Sequence, residues 1–414
     1  MFRRTCVLLL AMVLLLPVGM GCQKRVIDAE YQIVYAKDDL YAPFGAKALA
    51  KAIGGVLEKT PSVISAARFD PETAAGKTIF IGDTGHVADL PDMGEKAFSV
   101  DLADEGVQIR GENSLTLFLA CKAVGDHWVT EEYGLVGEGE LVINKKICKK
   151  LNELSVNTDA MLSVMSQNVR CADDGAGKTV AERKVRLKEL VQDYSPDLIG
   201  TQEVTKEWMG IFSEYFGAAY GMVGCSRDGE GKESGEWNTI LYRKERFDLV
   251  SSGTFWLTDT PNTVSKLEGI TYNRICTWAV LKDKVANIEI MLCNTHLDHQ
   301  SDEARAKQAA YLMDFIKEHE GDYPIFLTGD FNTTSDKKAY KTVTAVLADS
   351  HKKAAADASS VKGTFHNYLA PSHEIDFCFF DDEKAEAMAY RIQSDDYKGF
   401  VSDHYGVIAY FQYK

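Results

Sequence analysis

Basic residues are in deficit: 46 Lys and Arg stand against 61 Asp and Glu in 414 residues, a formal charge of −15. Such a surface repels polyanions, so a gripping footprint for long nucleic acid is disfavoured. No apolar run suffices for a membrane-spanning helix; the one near the start, Cys6 to Leu16, is too short. The nine cysteines include no CxxC pair and no metal-ligand spacing. No internal repeat or low-complexity tract stands out either.

What is present is enough apolar residue for two ordinary cores, 45% of the chain, with 26% charged residues as in soluble globular proteins. The first 22 residues read as an export segment: Arg3 and Arg4 precede the apolar run, Pro17 breaks it, and Gly19 and Gly21 flank Met20 before Cys22. Cys22 after Gly21 resembles a lipoprotein processing site, which would tether the mature chain to a membrane. Cleavage without an anchor is the other reading. Loss of Arg3 and Arg4 with the leader would take the charge to −17. Beyond Cys6 and Cys22 an odd number of cysteines remains, mostly in apolar strand-like runs such as "ICTWAV" and "IMLCNTH". They read as small buried hydrophobes. A disulfide is open in an exported chain, but no partner is indicated.

The spacing divides the rest in two. Over 26–145 strand-like "YQIVYA" and "KTIFIGDT" alternate with helix-like stretches, Ala42 to Glu58 and "CKAVGDHWVTEEYGL", which predicts a small α/β unit. Residues 146–160, basic and polar with little apolar periodicity, read as a linker. From 161 to 414 strands alternate with helices again. "AERKVRLKELVQDY" and "DEARAKQAAYLMDFIKEH" carry one apolar stripe each, and the runs around "NTILYRKERF" and "IEIMLCNTHLD" are β-branched without helical period. Helices covering two stacked sheets would bury such strands on both faces.

In this second half several apolar strands end in polar groups: Asn168 in "LSVMSQN", Glu203 in "DLIGTQE", His296 in "IEIMLCNTH", Asp330 and Asn332 in "PIFLTGDFN". Asp376 lies in "HEIDFCFF", and Asp403 with His404 opens "SDHYGVIAYF". One such residue is ordinarily a turn residue. Their recurrence near one sheet edge is costly unless a cation or a phosphate compensates it. Asp330 and Asn332, two apart on an extended segment, present both side chains to one face.

The ordered set "SQN", "GTQE", "NTHLDH", "TGDFN", "IDF" and "SDH" resembles the endonuclease/exonuclease/phosphatase superfamily over residues 161 to 414. That resemblance implies a four-layered α/β sandwich, two packed β-sheets flanked by helices, beside a smaller N-terminal α/β domain. It implies a phosphoesterase dependent on Mg²⁺ or Mn²⁺, with Glu203, Asn168 and Asp403 at the metal. Asp330 would activate water, Asn332 would hold the phosphate, and His296 and His404 would flank it. The partner of His404 would be Asp376, and that of His296 would be Glu236 in "GEWNTILYR". "RDGEGKESGEWN", "GTFWLTDTP", "NRICTWAV" and "NTHLDHQSDEAR" resemble a bacterial branch in which Arg227, Trp256, Arg274, Trp278 and His299 would line the substrate side; for the two tryptophans core packing is the favoured reading. Gly406, where many relatives have proline, implies a loop effect alone.

The first unit resembles the small accessory domain that precedes catalytic barrels in hexosaminidases and glucuronidases, on packing and turn residues such as "KTIFIGDT" and "DEGVQIRGEN". A phosphorylated small molecule or glycan is therefore the expected substrate, with nucleic acid less favoured. An extracellular nuclease and a non-catalytic carbohydrate-binding surface protein are the rivals. The second would have lost a metal or phosphate residue, and all are present. No Ser, Cys or Thr of the motif set is placed as a nucleophile, so water would attack directly.

Overall fold

The computed structural model describes residues 24–414 except positions 29, 38, 40, 58, 75, 76, 89, 95, 137–139, 157–160 and 320. The export segment and Cys22 lie outside the described residues. The described residues divide into two compact units, 24–42 with 52–155, and 43–51 with 156–414. None of the described helices is long and apolar enough to cross a membrane. The seven described cysteines are free thiols.

The first stretch runs β1 (Lys24–Ile27), β2 (Gln32–Tyr35), α1 (Ala42–Leu57), β3 (Ser62–Ser65), α2 (Pro71–Ala74), β4 (Thr78–Ile81), β5 (Phe98–Leu102), β6 (Val107–Gly111), α3 (Ser114–Trp128), β7 (Leu141–Asn144) and α4 (Lys145–Leu151). Its main sheet has the order β3-β2-β4-β6-β5, with β5 antiparallel to β6 and the other pairs parallel. β1 and β7 form a separate antiparallel pair.

Helix α4 corrects the expected linker. Asn144 caps it, its side chain accepting from the backbone N–H of Lys146 and Ile147, and Ile147, Cys148 and Leu151 are buried. Just beyond, the Asn152 amide exchanges two hydrogen bonds with the backbone of Val100, at 2.6 and 3.0 Å, which ties this stretch to β5. Lysines occupy the remaining positions, which is why the apolar period is hard to see over seven residues.

The second unit contains β8 (Met161–Asn168), α5 (Val180–Tyr194), β9 (Leu198–Val204), α6 (Lys206–Phe216), β10 (Tyr220–Val223), β11 (Trp237–Arg243), β12 (Phe247–Trp256), β13 (Ile275–Asp283), β14 (Ile288–His296), α7 (Asp302–Glu318) and β15 (Ile325–Asp330). It continues with α8 (Lys338–Thr344), β16 (Ala348–Asp349), α9 (Ser350–Lys353), β17 (Ala356–Asp357), β18 (Asp376–Phe380), β19 (Ala385–Gln393) and β20 (Gly406–Tyr413). Two mixed sheets result, β10-β11-β9-β8-β20-β19-β17 and β12-β13-β14-β15-β18-β16. Leu162, Val164, Val407 and Phe411 of the first pack against Leu281, Leu292, Phe326 and Phe380 of the second, forming the core of the sandwich. On the outer face of the six-stranded sheet Cys276, Met291 and Leu327 meet Leu312, Met313 and Ile316 of α7 and Val343 of α8. Local chemistry marks the helix starts: a Thr179–Glu182 capping box opens α5, and Ser301 caps α7 with Asp302 and Glu303 in its first turn. The architecture is the expected α/β sandwich.

Sheet direction explains why the polar strand ends meet. β8 and β9 are parallel neighbours, as are β14 and β15, so Asn168, Glu203, His296 and Asp330 all stand at carboxyl ends. β18, β20, β11 and β13 run antiparallel to them and therefore begin at that edge, next to Asp376, His404, Glu236 and Arg274. Gly200 lets the sheets approach below it: a Cβ there would lie 1.9 Å from the Thr328 hydroxyl oxygen. Around it Asn294 takes a hydrogen bond from Gln202 at 2.8 Å and donates to the Thr201 carbonyl at 2.8 Å, a buried polar floor spanning both sheets.

Candidate active site

Asp330 is the centre. The Asn168 amide donates to both Glu203 and Asp330, each at 3.0 Å, and the Asn332 backbone N–H donates to the other Asp330 oxygen at 2.9 Å. Glu203 accepts the Cys171 backbone N–H at 3.0 Å. His404 Nδ1 stands 2.8 Å from Asp376, and its Nε2 is 3.8 Å from Asp330. His296 Nε2 lies 3.5 Å from Asp330 and 3.0 Å from the Asn332 amide nitrogen. That nitrogen also donates to the Leu297 carbonyl at 3.2 Å, which orients the amide and makes the His296 nitrogen the acceptor. Glu203 and Asn332 both hold positive φ, 58° and 48°, as does Arg170 at 59°. Backbone strain of this kind collects at functional sites.

The two histidines are in opposite electrostatic situations. Burial pulls His404 down, but the charges of Asp376 and Asp330 outweigh it and push the imidazole up to about 10. Burial together with Arg274, Arg227 and His404 holds His296 well below its ordinary value, so it is neutral. Asp330 is raised to about 7, by burial and by Asp376, with His404 opposing. Glu203 is depressed: burial would raise it, and the hydrogen bonds from Asn168 and Cys171 prevail. Burial raises Asp403.

Some expected pairings are absent. Glu236 binds Arg227 at 2.8 Å rather than His296, whose buried Nδ1 has no hydrogen-bond partner among the described residues. Glu236 sits on the seven-stranded sheet's edge, where the loop carrying Arg227 folds back to it, so a cation reaches it first. Asp403 is 3.7 Å from the Arg170 guanidinium and stands outside the two groups of ligand atoms that converge within 4.8 Å, Glu203 with His296 and Asp330, and Asp330 with Asp376 and His404. Trp278 packs against Phe315 of α7, on the face of β13 away from the sandwich core. Trp256 is 7% exposed and donates its indole N–H to the Arg227 carbonyl, a support for that residue rather than a stacking surface.

The substrate side is built by others. Arg274 reaches His299 Nδ1 at 3.1 Å, and the Arg227 guanidinium lies 4.4 Å over the Tyr272 ring. Tyr272, 44% exposed and stacked on His299, is an aromatic surface the sequence reading missed. So is Arg170, bonded to Asp174 at 2.9 Å and 3.7 Å from Glu203. Its place two residues after the strand-ending Asn168 was the available signal. Arg183 fixes this turn from below, taking the carbonyls of Val169, Arg170 and Ala172.

Residues 165–404 match the Endonuclease/Exonuclease/phosphatase family. The chain belongs to that family. Among solved structures, a family member from Bacteroides thetaiotaomicron is 31% identical, with a TM-score of 0.58 over 61% of this chain and 98% of its own. A mannosyl-6-phosphatase from Bacteroides thetaiotaomicron is also 31% identical, with a TM-score of 0.57 over 60% of this chain and 99% of its own. The catalytic domain of human Nocturnin shares the fold at 18% identity, with a TM-score of 0.51 over 62% and 95%. Comparison with curated proteins returned no match.

Members of this family are metal-dependent phosphoesterases, and the donor set here fits a divalent ion. Glu203 and Asp330 offer carboxylate oxygens with neutral His296 beside them, in a cluster whose buried negative charge a cation would offset. The other group is a poorer host, because His404 is cationic and commits Nδ1 to Asp376.

Proposed function

We propose that this chain hydrolyses a phosphoester by direct in-line attack of water, with Mg²⁺ or Mn²⁺ held by Glu203 and Asp330 and with Asn168 fixing both carboxylates. When bound between these two carboxylates, the ion would supply Lewis-acid polarisation of a phosphoryl oxygen and offset developing negative charge. The observation that carries the reading is the His404–Asp376 pair next to Asp330: a buried imidazolium held by one carboxylate and facing another. Ionised Asp330 orients and deprotonates the attacking water. His404 donates to a phosphoryl oxygen, where negative charge increases in the transition state. The Asn332 amide gives the phosphate the N–H that otherwise meets His296, and neutral His296 supplies a second donor through Nδ1, which has no hydrogen-bond partner among the described residues. Asp403 acts through Arg170, whose guanidinium lies 3.7 Å from both Asp403 and Glu203 and offsets the repulsion between them.

A sugar phosphate or a phosphorylated glycan is the proposed substrate, supported by the 31% identity to a mannosyl-6-phosphatase and by the acidic surface. The first unit would serve as a carbohydrate-associated accessory domain, and the leader would export the chain and tether it through Cys22. The deciding experiment compares p-nitrophenyl phosphate, bis(p-nitrophenyl) phosphate and mannose 6-phosphate with Mg²⁺, Mn²⁺ or EDTA, for wild type and His404→Ala. Metal-dependent turnover lost in the variant is expected. Turnover that survives both EDTA and the substitution would refute the mechanism.

A further inference from the structure

Arg274 is a buried cation without a carboxylate. It is 5% exposed, it forms no ion pair among the described residues, and its Nε has no hydrogen-bond partner. Its guanidinium meets the ring nitrogen Nδ1 of His299 at 3.1 Å. Three carboxylates lie nearby and none is in ion-pair contact with it among the described residues: Glu236 binds Arg227, Asp330 is held by Asn168 and Asn332, and Asp298 gives one oxygen to the backbone N–H of Gln300 and Ser301 at 2.9 and 2.8 Å while its other oxygen has no hydrogen-bond partner. Arg227, itself buried, adds a second guanidinium nearby. Removing such a charge from water is costly unless an anion meets it.

The position of Arg274 says where that anion lies. It is two residues before Cys276, which pairs across the ladder with Thr295, the neighbour of His296. Arg274 therefore stands at the same sheet edge as His296, one strand over, on the side away from His404 and Asp376.

We infer that Arg274 receives the second negative charge of a dianionic phosphate, so that the site selects terminal phosphomonoesters over phosphodiesters. This rests on the phosphoesterase reading and narrows it. A monoester brings three unsubstituted oxygens, one for His404 and Asn332, one for His296 and one for the Arg274 fork. In a diester that third oxygen carries a carbon arm and no charge, and the arm would displace water from a buried guanidinium without replacing its hydrogen bonds.

Turnover of p-nitrophenyl phosphate and bis(p-nitrophenyl) phosphate by wild type and Arg274→Gln tests this, together with calorimetric titration of the wild type with methyl phosphate and dimethyl phosphate at pH 8 with Mg²⁺. Wild type should prefer the monoester. In the variant kcat/KM should fall about 100-fold for the monoester and by no more than about tenfold for the diester. An equal loss on both esters, or a wild-type preference for the diester, overturns the inference. If wild type cleaves neither ester nor mannose 6-phosphate, the phosphoesterase reading fails, and the titration still decides this one. At least tenfold tighter binding of methyl phosphate supports it, and equal binding overturns it. The titration also decides if the variant does not fold.

Discussion

The His404 imidazole and the Asp376 carboxylate are joined at 2.8 Å, both buried, where β18 and β20 begin in two different sheets. The strands belong to separate layers, so the pair is a tertiary contact held by the sandwich itself. Asp376 in turn is positioned by Thr364, whose hydroxyl accepts its backbone N–H at 3.1 Å.

Removing the charge of that pair should act on chemistry more than on binding. In Asp376→Asn, kcat for p-nitrophenyl phosphate should fall about 100-fold with KM little changed. The sign of the pH effect follows from the two shifts. Wild-type activity should rise as Asp330 ionises through about 7 and fall as His404 loses its proton through about 10. Without the Asp376 charge the alkaline limb should move to lower pH. A pH–rate profile with an unmoved alkaline limb would show that His404 acts without its charge.

The motif residues were legible because their chemistry is unusual at the ends of apolar strands, and because parallel pairing brings carboxyl ends together. The partner of Glu236 was not legible. It depends on where the loop after β10 places Arg227, and a glutamate before a strand looks the same whichever cation it meets. Helix α4 was hidden by its lysines, although Asn144 as cap and Ile147, Cys148 and Leu151 at helical spacing were there to be read. Trp278 could be assigned to its outer face only after the register with β14 was known, while Tyr272 carried no signal at all, since exposure of a single loop aromatic is a tertiary fact.

Metal binding has a readout independent of turnover. Glu203 is half-buried, held in its ionised form and hydrogen-bonded on both oxygens, so it is preorganised as an oxygen ligand. Mg²⁺ or Mn²⁺ should raise the melting temperature of the wild type, because the ion binds the folded state alone. In Glu203→Gln the same concentration should give no rise, corresponding to a loss of about 10- to 100-fold in metal affinity. An undiminished rise in the variant would place the ion elsewhere.

Gly200 should be intolerant of a single methyl group. A Cβ there would meet the Thr328 hydroxyl at 1.9 Å and the Asn294 amide oxygen at 2.7 Å, in the floor that joins the sheets. Gly200→Ala should cost about 3 kcal/mol through overpacking and broken hydrogen bonds. Thermal unfolding should show a drop of several degrees, partly recovered in Gly200→Ala with Thr328→Ala. A single variant as stable as wild type would mean the sheets separate there without cost.

A second charged histidine, remote from the motifs, should make stability depend on alkaline pH. His351 on α9 lies 2.6 Å from Glu374 and 3.3 Å from Asp357, with its ring stacked 4.3 Å from that of Tyr390. Burial pulls its value down, but the two carboxylates outweigh burial and raise it to about 10. A group whose folded value is raised stabilises fully below its unfolded value, near 6.5, and the contribution disappears as pH climbs through about 10. Glu374 should carry most of it, since Asp357 is 41% exposed and solvent screens that contact. His351→Gln should therefore be less stable than wild type by about 2 kcal/mol at pH 6. The gap should narrow steadily toward pH 10, as followed by chemical denaturation at each pH. A gap that stays constant across that range would show that the ring contributes by stacking on Tyr390 and not by its charge.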